Sequence, residues 1–220
     1  MIFERLRLVD EPIPGDGAWN MAVDEALLAT IETPILRIYR WSEPTVSFGY
    51  FEKLADIQKL RPGVSLVRRW TGGGMVDHGD DQTYSLLIPT SHPLAQSERR
   101  ESYRVIHEIL QDVIASKCQV TLELASKKTS LGAGCFQQPV ISDLLLDGQK
   151  IAGAAQRRTR HGLLHQGSVQ SISLAQIPAL DFAHAFGSES SSIPLTEVER
   201  QNALELASKR YGTPEWLARF

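Results

Sequence analysis

Short stretches in which apolar residues alternate with polar ones are interleaved along this chain with longer stretches of helical period, and the interleaving predicts most of its elements. In DGAWNMAVDEALLATIE, Met21, Ala22, Leu27 and Leu28 recur at helical spacing among acids, with Asp16 placed to cap, so a first helix is expected there. PILRIYRW sets Ile35, Arg37, Tyr39 and Trp41 against Leu36, Ile38 and Arg40. TVSFGYF follows Pro44, and the two runs are expected to pair as strands. SERRESYRVIHEILQDVIASK carries Tyr103, Ile106, Ile109, Leu110 and Val113 on one face, which predicts a helix whose stripe is core. In LLLDGQKIAG, Asp147-Gly148 stands between two apolar runs and predicts a tight hairpin with Lys150 just past the turn. Thr196 precedes Glu199 by three, a capping-box spacing that opens a closing helix. There is no internal repeat, and GSESSSIP reads as a short loop, so residues 1–220 are expected to form one domain.

Composition narrows the class. With 220 residues the chain can bury one sizeable core, and 42% hydrophobic with 22% charged residues is ordinary for a globular protein. No apolar run approaches the ~20 residues that span a bilayer, and MIFERLRLVDEP has no secretory h-region, so a cytoplasmic location is expected and a membrane partner is not. A formal net charge of −3 gives no general attraction to nucleic acid; the basic clusters Arg68-Arg69, Arg99-Arg100 and Arg157-Arg158 with Arg160 are short and scattered. Cys118 and Cys135 have neither metal-ligand spacing nor the density of a disulfide scaffold, so no metal site is expected.

The candidate chemistry starts from three successive glycines, Gly72, Gly73 and Gly74, inside LVRRWTGGGMVDHGDDQTYSLLIP. Glycines between strands allow positive φ and let backbone amides approach an anion or an acyl carbonyl; a plain glycine-rich turn is the alternative. Arg69 before the loop and His78 after it favour a ligand-facing role, since a guanidinium suits an anionic group and an imidazole adds a donor or acceptor. Lys150 is followed by the small residues IAGAA, which leave room for a chain to pass, although an exposed surface lysine is the ordinary case. Cys135, in GAGCFQQP, is either a small core residue or a thiol activated by nearby positive charge such as Lys150. Cys118 is read as structural. His165, in LLHQGS, either orients a substrate or makes a hydrogen bond within a strand.

RRWTGGGMVDH resembles the Arg-Arg-x-x-Gly-Gly-Gly-x-Val-x-His signature of the lipoate–protein ligase and octanoyltransferase superfamily. DGQKIAGAAQ resembles its Lys-x-x-Gly-x-Ala element, and HQGSV follows in the expected place. The resemblance extends over GAWNMAVDEALL, LRIYRWSEPTVSFGYFEK and LTEVERQNALELASKRYGTPEW, nearly the whole chain. It implies an α+β fold like the catalytic domain shared by biotin and lipoate ligases, a mixed, mainly antiparallel sheet flanked by helices, without a C-terminal accessory domain.

GCF at Cys135, fifteen positions ahead of Lys150, is similar to the cysteine-dependent octanoyltransferase branch. That branch implies transfer of an octanoyl or lipoyl group from a thioester donor such as octanoyl-acyl carrier protein, through a Cys135 thioester, to a lysine of a lipoyl domain of a 2-oxoacid dehydrogenase or glycine cleavage H protein. Cys135 and Lys150 would be catalytic. Arg69, Gly72, Gly73, Gly74, Met75, Val76, Asp77, His78, Gly153 and His165 would bind substrate, with Lys150 or His165 as proton acceptor. No cofactor is required for acyl transfer. The other branches are an ATP- and Mg-dependent lipoate ligase working with a separate accessory chain and a lipoyl-domain amidotransferase; a non-catalytic acyl-binding protein on the same fold is the reading from another class. Asp77 and Gly79 depart from the family, which has an apolar or aromatic residue before the histidine and an aspartate after it. The Asp77 carboxylate therefore either turns outward or shifts substrate preference, since burying it unpaired is costly.

Overall fold

The structure, a computed structural model, describes residues 1–126, 138–174 and 177–220. In chain order its elements are β1 (Phe3–Asp10), α1 (Gly17–Ala29), β2 (Ile35–Tyr39), β3 (Thr45–Phe48), α2 (Leu54–Leu60), β4 (Ser65–Arg68), β5 (Val76–His78) and β6 (Gln82–Pro89). There follow α3 (Pro93–Gln96), α4 (Arg99–Cys118), β7 (Leu122–Leu124), β8 (Leu144–Leu146), β9 (Gln149–Arg158), β10 (Gly162–Val169) and α5 (Ala179–Phe186). The chain closes with β11 (Gly187–Ser192), α6 (Glu197–Leu206), a π-helical turn at Ala207–Tyr211 and α7 (Pro214–Leu217).

One sheet runs β11-β1-β2-β6-β10-β9-β8-β7; β1 is parallel to β11 and to β2, and every pairing from β2 to β7 is antiparallel. A smaller sheet runs β4-β3-β5. The fold is thus α+β, with a mixed, mainly antiparallel sheet between helices.

The strand period of two decides which residues meet which layer. Leu36, Ile38, Leu86, Ile88 and Leu163 face α4 and α5, where Ile106, Leu110, Ile114, Phe182 and Phe186 complete one core. Ile35, Leu87 and Leu164 face α1, α6 and the C-terminal turns, where Leu27, Ala203, Tyr211 and Trp216 complete the other. Fully burying each such side chain contributes roughly 1.5–3 kcal/mol.

The local expectations hold except at GSESSSIP, read as a short loop, where Gly187–Ser192 form the edge strand β11, parallel to β1. Asp16 caps α1 by accepting from the Trp19 amide at 2.7 Å, Thr196 and Glu199 form the capping box of α6, and Tyr103, Ile106, Leu110 and Val113 of α4 are buried. Asp147 (φ 51°) and Gly148 (φ 77°) make the β8–β9 turn with two positive φ values, the conformation for which Asp-Gly is selected. Cys118, half-buried, packs against the α4 core, in keeping with a structural role.

One pairing expectation is corrected. The runs PILRIYRW and TVSFGYF do not pair with each other: β2 lies in the large sheet between β1 and β6, whereas β3 is the centre of the small sheet. The connection Arg40–Pro44 leaves the large sheet through a bridge between Gly15 and Trp41, and β3 finds its partners in β4 and β5. Short connections favour hairpins, but here Pro44 and the Trp41 bridge carry the chain to the second sheet.

Candidate active site

The small sheet lies over the recess-facing side of β6, β9 and β10, and the space between them forms a recess of about 540 Å³, solvent at its mouth included. Arg69, Gly73, Gly74, Met75, Val76 and His78 come to it from the small-sheet side, Lys150, Gly153 and Ala154 from β9, and Gln166 and Ser168 from β10. Met21, Tyr39 and Trp41 add apolar wall.

The glycine loop is held by Arg69. Its Nη2 donates to Gly72 O at 3.0 Å and to Gly74 O at 2.7 Å, and its Nη1 donates to Ser47 Oγ at 2.8 Å. Two carbonyls converging on one nitrogen bend the loop around Gly73, whose φ of +82° is open to glycine. A second constraint comes from Gly49, just after β3, where any Cβ would collide with Gly73 O. The guanidinium therefore shapes the loop as well as charging it. Gly72 contributes its carbonyl to Arg69 and faces the outside of the loop.

His78 is fixed on both ring nitrogens. Nε2 lies 2.6 Å from Ser47 Oγ, Nδ1 lies 2.8 Å from Asp81 Oδ2, and the ring stacks on Trp41 at 4.0 Å between centroids. The Asp81 carboxylate can only accept, so Nδ1 carries a proton toward it. Burial acts to raise the Asp81 carboxyl, but hydrogen bonds from His78, Ser168 and Thr83 outweigh it and hold the group below the usual carboxylate range. Trp41 Nε1 donates to Thr83 Oγ1 at 2.8 Å, closing the network.

Lys150 is not the exposed lysine of the ordinary case: its side chain is 8% exposed and its Nζ lies 2.8 Å from Asp143 Oδ2. The fully buried Asp143 also accepts from the Tyr103 hydroxyl at 2.5 Å and from the Val140 amide at 2.8 Å. Tyr103 in turn accepts from the Ala154 amide at 2.8 Å. Burial, followed by the charge of Asp143, pushes the Tyr103 phenol well above its ordinary value, so it remains a donor. Gly153 sits where a Cβ would strike the end of the Lys150 side chain, so the glycine leaves that side chain its path along β9.

Besides Gly72, two expected binding residues stand elsewhere. The Asp77 carboxylate, its side chain 55% exposed, receives Arg61 Nε and Nη2 at 2.7 and 2.8 Å; that hydrogen bonding lowers its pKa. It turns outward, the first of the two alternatives open in the sequence. His165 is fully buried, and because Gln166 and Ser168 on β10 face the recess, the period of two turns His165 to the α4 side. There its Nε2 lies 3.2 Å from Tyr84 Oη and its Nδ1 3.0 Å from the Gln156 amide nitrogen. Cys135 lies outside the described residues.

Sequence reasoning missed Ser47, Asp81, Asp143, Tyr103 and Gln166. Asp81 follows His78 by three in HGDD and Asp143 follows Ser142 in SDLLLDG, but neither spacing announces a partner. Gln166 links the site to the α1 side, accepting from Thr71 Oγ1 and donating to Asp24 Oδ2, both at 2.7 Å. Asp24 is itself paired with the fully buried Arg37 at 2.8 Å. Among the described residues no three His, Cys, Asp or Glu side chains are gathered to hold a metal ion. Both Asp143 oxygens are already engaged.

A family model described as "Lipoyl protein ligase A/B catalytic domain" matches residues 16–175, which contain the glycine loop, Lys150 and most of the strands around them. The chain belongs to this family. Within the lipoyl protein ligase A/B family, one similar relative is Octanoyltransferase LipM of Oceanobacillus iheyensis, 39% identical over 171 residues, covering 72% of this chain and 62% of that protein. Octanoyltransferase LipM of Staphylococcus aureus is 37% identical over 179 residues, covering 74% of this chain and 65% of its own length. The matched region thus spans a little under two thirds of those relatives. A putative lipoate protein ligase from T. acidophilum superposes with a TM-score of 0.78 at 22% identity, over 99% of this chain and 100% of that one. A lipoate-protein ligase A bound with ATP superposes at 0.76, also at 22% identity, over 98% of both chains. These two likenesses show the fold.

Proposed function

We propose that this chain moves an octanoyl group from a thioester donor, octanoyl-acyl carrier protein, through a thioester on Cys135, to the lysine of a lipoyl domain. The observation that carries the reading is Lys150: a buried side chain, paired with Asp143, at the wall of a recess that combines the apolar side chains of Met21, Tyr39, Trp41, Met75 and Val76 with the polar side chains of Arg69, His78, Gln166 and Ser168. The similarity to proteins named octanoyltransferase supports the same reading.

The chemistry follows from those groups. The Cys135 thiolate attacks the donor thioester carbonyl, and the Lys150 ammonium and loop amides stabilise the tetrahedral oxyanion. The donor carbon–sulfur bond breaks, the carrier thiolate leaves and takes up a proton, and the octanoyl group remains on Cys135. Met21, Tyr39, Trp41, Met75 and Val76 would cover the eight-carbon tail, at about 0.8 kcal/mol per buried methylene. The amine of the acceptor lysine then attacks the acyl-enzyme, loses a proton, and displaces Cys135 as thiolate, leaving an amide. Of the two groups considered for that proton, Lys150 faces the recess and His165 faces away; the Lys150 ammonium gives its proton to the departing carrier thiolate, and the neutral amine so formed takes the proton of the acceptor lysine and becomes an ammonium again.

The test is octanoylation of an apo lipoyl domain by octanoyl-acyl carrier protein, followed by mass spectrometry of the domain, with ATP and Mg²⁺ omitted. Modification without ATP is expected. Modification that appears only with free octanoate or lipoate, ATP and Mg²⁺ would identify a ligase and overturn the thioester route.

A further inference from the structure

Outside the recess, and sharing Gly73, Ala154 and Ala155 with it as a common wall, runs a much larger groove of about 1750 Å³, solvent included. The two arginine pairs that look scattered in the sequence meet here: Arg99 and Arg100 from the first turn of α4, Arg157 and Arg158 from the end of β9. No acidic residue lines the groove among the described residues. Glu101, on the same turn of α4, is taken up by Arg104 at 2.8 Å. A chain with a formal charge of −3 has thus gathered four guanidinium groups around one opening.

The arginines of β9 are held in place before any partner arrives. Arg157 stacks over Trp70 at 4.3 Å and donates to Trp70 O at 3.0 Å, while Arg158 donates to Ser97 O and Ser102 Oγ, both at 2.8 Å. Arg99 and Arg100 remain exposed, and Phe51, 74% exposed, adds an apolar surface on the groove wall. Arginine with aromatic side chains is the composition of an interface core and its anchors.

We infer that this groove docks the acceptor domain, through an acidic face that surrounds its target lysine. The inference rests on the proposed acyl transfer and adds the surface that the second half-reaction uses. Reach favours the acceptor over the donor: a lysine side chain extends only about 6 Å beyond its backbone, so the domain bearing it must sit against the wall where Gly73, Ala154 and Ala155 meet the recess. A donor on a long flexible arm has no such need. Complementary charge around the opening would raise the encounter rate and set the register of that lysine, with a strong dependence on salt.

The test is a direct binding measurement between the full chain and an apo lipoyl domain, by titration calorimetry at about 25 and about 200 mM NaCl. It compares the unmodified protein with Arg99→Glu/Arg100→Glu and Arg99→Lys/Arg100→Lys. Acids in the first turn of a helix are favourable, so the reversal leaves α4 intact, which thermal unfolding checks. Docking predicts that the reversal weakens binding tenfold or more at low salt and flattens the salt dependence, and that the lysine pair stays within about threefold, the scale of a modest change in rim contacts. Loading of Cys135 from octanoyl-acyl carrier protein should be unchanged by the reversal. Equal binding by all three proteins, or a loss confined to the loading step, would overturn the inference. Because binding is read without acyl transfer, charge-dependent binding by a protein that transfers nothing would leave docking standing and remove the proposed activity instead.

Discussion

Lys150 Nζ lies 2.8 Å from Asp143 Oδ2, with the lysine side chain 8% exposed and the aspartate fully buried, so the two form a buried ion pair in the wall of the recess. Removing one partner of such a pair strands the other, which costs about 3–5 kcal/mol. Asp143→Asn is therefore expected to lower unfolding free energy by a few kcal/mol and to slow acyl transfer at least tenfold, because the oxyanion loses an oriented cation. The double variant Asp143→Asn/Lys150→Met should be more stable than Asp143→Asn alone while remaining inactive. Urea denaturation of the single and double variants checks this; an additive pair of losses would contradict it.

Arg68, the neighbour of Arg69 in the signature, performs a different task. It is fully buried and donates to the carbonyls of Tyr50 and Glu52 at 2.7 Å, Gly49 at 3.4 Å, Trp216 at 3.1 Å and Leu217 at 2.9 and 3.1 Å. One guanidinium thus ties the C-terminal helix to the segment that carries Gly49. A lysine cannot reproduce that fan of donors, and each buried carbonyl left unpaired costs about 1–3 kcal/mol. Arg68→Lys is expected to lower stability by at least about 3 kcal/mol in chemical denaturation. A loss under 1 kcal/mol would mean that water replaces the guanidinium without penalty.

Burial depresses the pKa of His107 to about 4 and holds that of His165 well below its ordinary 6.5. Both imidazoles are neutral when folded, whereas the unfolded chain protonates them near 6.5. Their contribution is therefore complete above pH 6.5 and is lost as pH falls toward about 4 in the case of His107. Within that window each group adds a slope approaching about 1.4 kcal/mol per pH unit. Denaturation midpoints measured from pH 7.5 to 4.5 should fall less steeply in His107→Asn, which can keep a donor to Ser142 O. An unchanged slope would show that the ring titrates alike in both states.

Much of the fold was legible because its signals are local. The Asp16 cap, the stripe of α4, the Asp147-Gly148 turn and the Thr196 capping box each reside within a few residues, and each is present. Sheet membership was not legible. Nothing within PILRIYRW says that its partners are β1 and β6, nor within TVSFGYF that its partners are β4 and β5. The same limit applies to the site. The glycine loop and Lys150 stand out as motifs, but Asp81, Asp143, Tyr103 and Ser47 are single polar residues in strands, turns or a helix, whose meaning comes from partners up to 87 residues away. His165 shows the converse: the motif HQGSV suggested a substrate contact, and the alternation of β10 turned it away from the recess.

Asp77 departs from the apolar or aromatic residue expected before His78, and its exposed pairing with Arg61 sets it outside the recess. Asp77→Ala is expected to change stability by less than about 1 kcal/mol, as for other exposed pairs, and to leave the preferred acyl chain length unaltered. Competition between octanoyl and longer acyl donors checks it; a shift in chain-length preference would place the carboxylate near the substrate after all.

The central claim is the covalent intermediate. Intact-protein mass spectrometry after mixing the chain with octanoyl-acyl carrier protein, in parallel with Cys135→Ala, tests it most directly. The account predicts a gain of one octanoyl group, absent from Cys135→Ala and discharged on addition of an apo lipoyl domain. No adduct on the unmodified chain under conditions where the lipoyl domain becomes octanoylated would contradict it.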